Sequence, residues 1–229
     1  MLGTLFQSSD VVSTALAAAT VASFACAVLV CLGLTWTSDR WRIPVALSAV
    51  ALLAAGLQYL DASSVWLATQ KMTAAYRFVG WFAITPLQVA AAYFFARIAG
   101  AVPAGVFWRI LAAAFLMVLC RYLGDARIFD PTLGILLSIV FWLYVLGEMY
   151  FGRMAEAVRK SSRPIRLGYF WIRLIMTIGW AVIPILYFVD VVIGAGHTPA
   201  IVVLYTIADL ANLITPSLIV LAVASKEQY

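Results

Sequence analysis

Charge is scarce in this sequence. Asp, Glu, Lys and Arg make up only 11% of its 229 residues, against 65% apolar ones. A globular domain in water carries about a quarter charged residues, so the shortage excludes an ordinary soluble fold and makes the bilayer the expected solvent. Histidine occurs once, at His197 in the turn-rich "GAGHTP", and cysteine three times, at Cys26, Cys31 and Cys120 inside apolar runs. A free cysteine there behaves as a small hydrophobe, so neither a disulfide framework nor a metal site is expected. The start "MLGTLFQSSD" has no basic region ahead of its apolar run, which argues against a cleaved signal peptide. Internal repeats, low-complexity segments and coiled-coil heptads are lacking too.

What the sequence has in plenty is long apolar runs. A spanning helix needs about 20 mainly apolar residues, and seven runs qualify: residues 11–36, 43–62, 76–97, 105–123, 131–152, 167–193 and 199–224. They take up nearly the whole chain, so the expectation is an all-α integral membrane protein, one seven-helix domain over residues 1–229. Basic residues collect on the cytoplasmic side of a membrane. With the N-terminus outside, ten of the 15 fall on inner segments, four on outer ones, and Arg173 lies within the sixth span. This predicts an outside N-terminus, a cytoplasmic C-terminus and residence in the cell (inner) membrane. The same asymmetry accounts for the net charge of +5 without nucleic acid, and the basic "RMAEAVRKSSRPIR" suits anionic lipid headgroups. Trp36, Trp41, Trp66, Trp108 and Tyr169 lie near helix ends and read mostly as interface anchors.

An ionisable group inside a bilayer costs about 2.5–3.5 kcal/mol on insertion scales, so each should have a partner or a purpose. Asp61 and Asp190 fall near outer helix ends, within reach of water. Glu148 and Arg173 share a depth on the fifth and sixth spans, where a pair between them is possible. Arg77 and Asp209 reach deeper, Asp209 being about 15 Å along its helix at ~1.5 Å per residue. Two readings of them stay open: a buried ion pair joining two helices, and an ion relay or counter-ion.

Three motifs stand in order. "YRFVGWFAITP" carries Arg77, Trp81, Thr85 and Pro86; "GWAVIPILYFV" carries Trp180, Pro184 and Tyr187; "LYTIADLANLITP" carries Tyr205, Asp209 and Asn212. With these spacings the chain resembles the microbial rhodopsins, most closely the proteorhodopsin and xanthorhodopsin branch. The resemblance implies a retinal bound as a Schiff base to a lysine four residues after the seventh-helix acid. That position holds Leu213. The sequence has only Lys71, Lys160 and Lys226, none of them within a run, and leucine offers no amine.

The resemblance places the family's proton acceptor at Gly80, a neighbouring threonine at Ile84 and the proton donor at Ala91. None of these side chains titrates, so proton hand-over by such a route is excluded. Retained, by the same resemblance, are the counter-ion group Arg77, Asp209 and Tyr59, and the chromophore walls Trp81, Thr85, Gln88, Trp180, Pro184 and Tyr187. Large aromatics at helical spacing also serve as ordinary core. The expected function is a bacterial, non-enzymatic rhodopsin relative with no covalent cofactor. It is not a light-driven pump by itself. As a homo-oligomer or a hetero-oligomer, it would act as an accessory or regulatory partner of a lysine-bearing rhodopsin. Two alternatives stand beside it: a photosensor or carrier holding retinal or a carotenoid non-covalently, and a light-independent ion or solute pathway.

Overall fold

The computed structural model describes residues 10–70, 74–187 and 198–227, with the backbone alone for residues 74–77 and 187. Asp190, His197 and Lys71, and the side chains of Arg77 and Tyr187, thus lie outside the described residues. The elements are α1 (Val11–Gly33), a 3₁₀ turn (Asp39–Trp41), α2 (Arg42–Thr69), α3 (Ala74–Ala99), α4 (Ala104–Asp125), α5 (Pro131–Phe151), α6 (Arg153–Arg159), α7 (Arg163–Tyr187) and α8 (Pro199–Lys226). Among the described residues seven stretches are long and apolar enough to cross a membrane, α5 and α6 sharing one. Helices suit this solvent because each backbone N–H is satisfied within its own segment. Neighbours in sequence pack side by side, α7 lies on α8, and α8 closes the ring against α1 and α2.

Helix starts follow local chemistry. Asp130 caps α5 ahead of Pro131, its carboxylate accepting from the N–H of Thr132 at 2.9 Å and of Leu133 at 3.1 Å. Thr198 plays the same part ahead of Pro199. Asp10 caps α1, accepting from Val12 N at 3.0 Å and Ser13 Oγ at 3.2 Å, and it also takes the indole N–H of Trp66 from α2. That indole bond, chiefly, holds the Asp10 carboxyl below the usual carboxylate range, with burial opposing it. A group whose pKa is lowered on folding stabilises the fold above its unfolded value, about 4, and the gain is lost as pH falls through the lowered one. Asp10→Asn is expected to flatten the acid limb of thermal stability below about pH 4; an unchanged limb would remove Asp10 from that role.

α4 and α5 approach through glycine. A Cβ on Gly134 would sit 2.7 Å from the Gly124 Cα and 2.8 Å from the Cys120 carbonyl oxygen, both backbone atoms that cannot yield. Small residues at a crossing let membrane helices come this close. Gly134→Ala should cost about 1–3 kcal/mol in thermal or denaturant unfolding. Gly147→Ala, where an added Cβ meets nothing within 4 Å, should be neutral or stabilising.

Several sequence expectations change in the fold. α2 runs two turns past residue 62, so Asp61 lies inside the helix, with an exposed side chain. Much of the basic "RMAEAVRKSSRPIR" is helical, as α6 and the start of α7. Trp36 and Trp108 are exposed, as anchors would be. Trp41, Trp66 and Tyr169 are buried: Trp41 packs edge-on against Phe95 at 5.2 Å, and the Tyr169 hydroxyl donates to the Met149 carbonyl at 3.2 Å. Proximity to a helix end fixes depth, but the helix face decides burial.

Candidate functional site

The interior between α2, α3, α7 and α8 gathers most of the predicted site residues. Asp209 is 5% exposed on α8, and Leu213, one turn on, is 3% exposed. Tyr59 of α2, Ile84, Thr85, Gln88 and Ala91 of α3, Trp180 of α7 and Tyr205 of α8 are also buried. Trp81 and Pro184 are half-buried. The Tyr205 hydroxyl donates to the Ile183 carbonyl at 3.4 Å, joining α8 to α7 just before Pro184.

Two glycines in this interior mark space already taken. A Cβ at Gly80 would overlap the side-chain amide of Gln58 on α2. A Cβ at Gly179, beside Trp180, would overlap the amide of Asn212 on α8. Neutral amides thus fill the room that larger side chains at positions 80 and 179 would need.

A third amide repairs a broken helix. Pro216 has no N–H, so the Asn212 carbonyl four residues earlier loses its helical donor. Gln88 Nε2 of α3 donates to that oxygen at 2.8 Å. Pro216 itself could be read from sequence, but the donor that answers it sits 124 residues away. Gln88 Oε1 remains buried without a hydrogen-bond partner among the described residues. Beside it lies a cavity of ≈ 20 Å³ lined by Gln88, Ser48, Ala91, Met176, Pro216 and Ser217, large enough for one water with polar neighbours. Thr85 Oγ1, Trp180 Nε1 and Asn212 Nδ2 are likewise buried without a hydrogen-bond partner among the described residues.

Glu148 and Arg173, which share a depth, make other contacts. Glu148 Oε1 takes Arg109 of α4 at 3.5 Å, and Oε2 accepts the Arg153 N–H at 3.2 Å, capping α6. A Cβ on Gly152 would overlap that carboxylate, so the cap depends on glycine. Arg173 instead lies over the Tyr150 ring, 4.5 Å from its centroid. On α4, Arg121 and Asp125 form a nearly buried pair at 2.7 Å. The four-residue spacing of Arg121 and Asp125 is the signal for this pair in the sequence.

The helix order, the prolines inside α3, α7 and α8, and the buried acid on α8 coincide with one family. The model for bacteriorhodopsin-like proteins matches residues 10–226. The chain belongs to the microbial rhodopsin family. It is 28% identical over 192 residues to the blue-light absorbing proteorhodopsin of Gamma-proteobacterium Hot 75m4, covering 83% of this chain and 76% of that one. It is 26% identical over 191 residues to the green-light absorbing proteorhodopsin of Gamma-proteobacterium EBAC31A08, covering 83% and 77%. Among solved structures, xanthorhodopsin, a light-driven ion pump with dual chromophore, superposes with a TM-score of 0.82 at 21% identity, over 94% of this chain and 92% of that one. The rhodopsin fold is therefore a multi-pass membrane bundle here too, consistent with the seven apolar stretches.

Proposed function

We propose that this rhodopsin-family protein forms no retinal Schiff base and does not pump ions by itself, and that it works as an oligomerising accessory or regulatory partner of a lysine-bearing rhodopsin. The carrying observation is Leu213: α8 offers a buried leucine one turn after Asp209, and the sequence has no lysine besides Lys71, Lys160 and Lys226. Covalent retinal supplies light absorption in relatives of this kind, and the residues present do not fit it. An imine needs a primary amine, and a protonated imine needs a nearby anion. Position 80 has no carboxyl, and the Gln58 side-chain amide occupies the place where its Cβ would go. Ala91 has only a methyl group, beside the one-water cavity. The bundle around these positions is nevertheless fully built, which supports selection for a shape that packs in the membrane. Enzymatic chemistry has no support in this set of side chains.

The direct test is affinity purification from native membranes. The expected result is co-purification with a rhodopsin that borohydride can trap as a retinal adduct. Recovery as a lone monomer would count against the proposal.

One observation favours a second reading, a non-covalent carrier of retinal or a carotenoid. Thr85 Oγ1, Trp180 Nε1 and Asn212 Nδ2 are buried polar atoms without a hydrogen-bond partner among the described residues, and such groups ordinarily meet water or a ligand. Xanthorhodopsin, with its dual chromophore, makes polyene binding relevant to this fold. A saturable complex, extractable by organic solvent, would favour this reading over the first.

A further inference from the structure

Arg163, Arg166, Phe170 and Arg173 of α7 follow one another at three, four and three residues, the spacing that stacks side chains along one side of a helix. The first three are exposed and Arg173 is half-buried. α7 begins where the chain's charged groups converge: Arg40 pairs with Glu227 at 3.1 Å, and the Ser162 hydroxyl donates to the same carboxylate at 2.5 Å. That level marks one face of the bilayer. Ten residues further, about 15 Å at ~1.5 Å per residue, Arg173 lies at the depth of the hydrocarbon.

A guanidinium there needs compensation. Glu148 is engaged by Arg109 and by the Arg153 N–H. What Arg173 has is aromatic: its Cζ lies 4.5 Å from the Tyr150 centroid and 5.6 Å from that of Phe170, and its Nε is buried without an acceptor among the described residues. Ring faces offset part of the desolvation but accept few of the five guanidinium hydrogens. Helical side chains lean toward the helix N-terminus, so Arg173 leans back along Phe170 toward Arg166 and the headgroup level. Beside it, Phe170, Trp171 and Phe151 are exposed apolar surface suited to acyl chains.

We propose that the groove between α5 and α7 is a binding site for an anionic phospholipid. Its phosphate accepts from Arg173, which Tyr150 and Phe170 hold in plane, and Arg166 and Arg163 complete the site toward the membrane surface. The charge complementarity is direct, since planar guanidinium donors match phosphate oxygens in pairs.

The test is thermal unfolding of the detergent-solubilised protein, titrated with phosphatidylglycerol, phosphatidylcholine or inorganic phosphate. Phosphatidylglycerol is expected to raise the unfolding temperature saturably at a few lipids per protein, phosphatidylcholine more weakly, and inorganic phosphate not at all. Arg173→Gln should raise the half-saturating phosphatidylglycerol concentration about tenfold or more, as expected for loss of charge-assisted bonds. Arg173→Lys should fall between, keeping charge without the planar fork. Tyr150→Leu, which leaves every charge in place, should weaken binding about threefold by removing a ring face. Arg97→Gln, the same charge loss in the last turn of α3 at the same bundle end, should leave half-saturation unchanged. The site is wrong if Arg173→Gln and Tyr150→Leu both titrate like the parent protein. It is equally wrong if Arg97→Gln weakens binding as much as Arg173→Gln, or if inorganic phosphate reproduces the shift.

Discussion

Mixed with all-trans-retinal, the purified protein is expected to show no band to the red of free retinal, and borohydride is expected to trap no adduct. Imine formation joins an amine nitrogen to the aldehyde carbon with loss of water, and no lysine amine is available at Leu213. A trapped adduct would defeat this reading outright. Leu213→Lys supplies the amine. Alone it is expected to give an imine that is unprotonated at neutral pH, absorbing near the ultraviolet and gaining a visible band only on acidification. A protonated imine needs an anion close by, and position 80 is glycine. Asp209, four residues before the new lysine, allows some protonation. A single variant already visible at neutral pH would show that Asp209 suffices and that Gly80 is unimportant.

Restoring a carboxylate at position 80 requires the Gln58 side chain to move. The Cβ of Gly80→Asp overlaps the Gln58 amide, so the gain should appear only when Gln58→Ala is added. The triple variant Leu213→Lys, Gly80→Asp, Gln58→Ala is then expected to absorb in the visible at neutral pH. If Gln58→Ala changes neither the spectrum nor the stability of the double variant, the amide yields easily and the packing account fails.

The second large effect is expected at Pro216 of α8. Gln88→Leu removes the donor to the Asn212 carbonyl that Pro216 leaves without a helical partner. A buried backbone acceptor stripped of its bond costs about 1–3 kcal/mol, measurable as a lowered denaturant midpoint. Pro216→Ala restores an N–H four residues after Asn212. In that background Gln88→Leu should cost under about 1 kcal/mol, giving a clear coupling energy in the double-mutant cycle. Equal costs in the two backgrounds would mean that Gln88 only fills space.

Much of the architecture was legible because it is written along one dimension. Seven apolar runs of spanning length predicted seven spanning helices, and composition excluded water as solvent. The motif around Arg77, Trp81, Thr85 and Pro86, together with those on the sixth and seventh spans, carried the family resemblance that the matched residues 10–226 bear out. Burial was harder to read. Trp41, Trp66 and Tyr169 resemble interface anchors by their place in the chain, yet each turns into the bundle. Gln58 gave no signal beyond being a polar residue in an apolar run, because its meaning depends on facing Gly80 across two helices.

The ion pairs show the same division. Depth along a span follows from counting residues at a fixed rise, and it put Glu148 and Arg173 at comparable levels. Partner choice depends also on the rotation of each helix about its axis. That rotation turns Glu148 toward Arg109 and the start of α6, and lays Arg173 on Tyr150. The sequence by itself determined the solvent, the number of crossings, the family and the missing amine, since each is a matter of composition or spacing. Only the tertiary structure decided what the buried amides meet, Gln58 against Gly80 and Gln88 on the Asn212 carbonyl that Pro216 leaves open, because helix rotation and close approach are settled by packing among segments far apart in the chain.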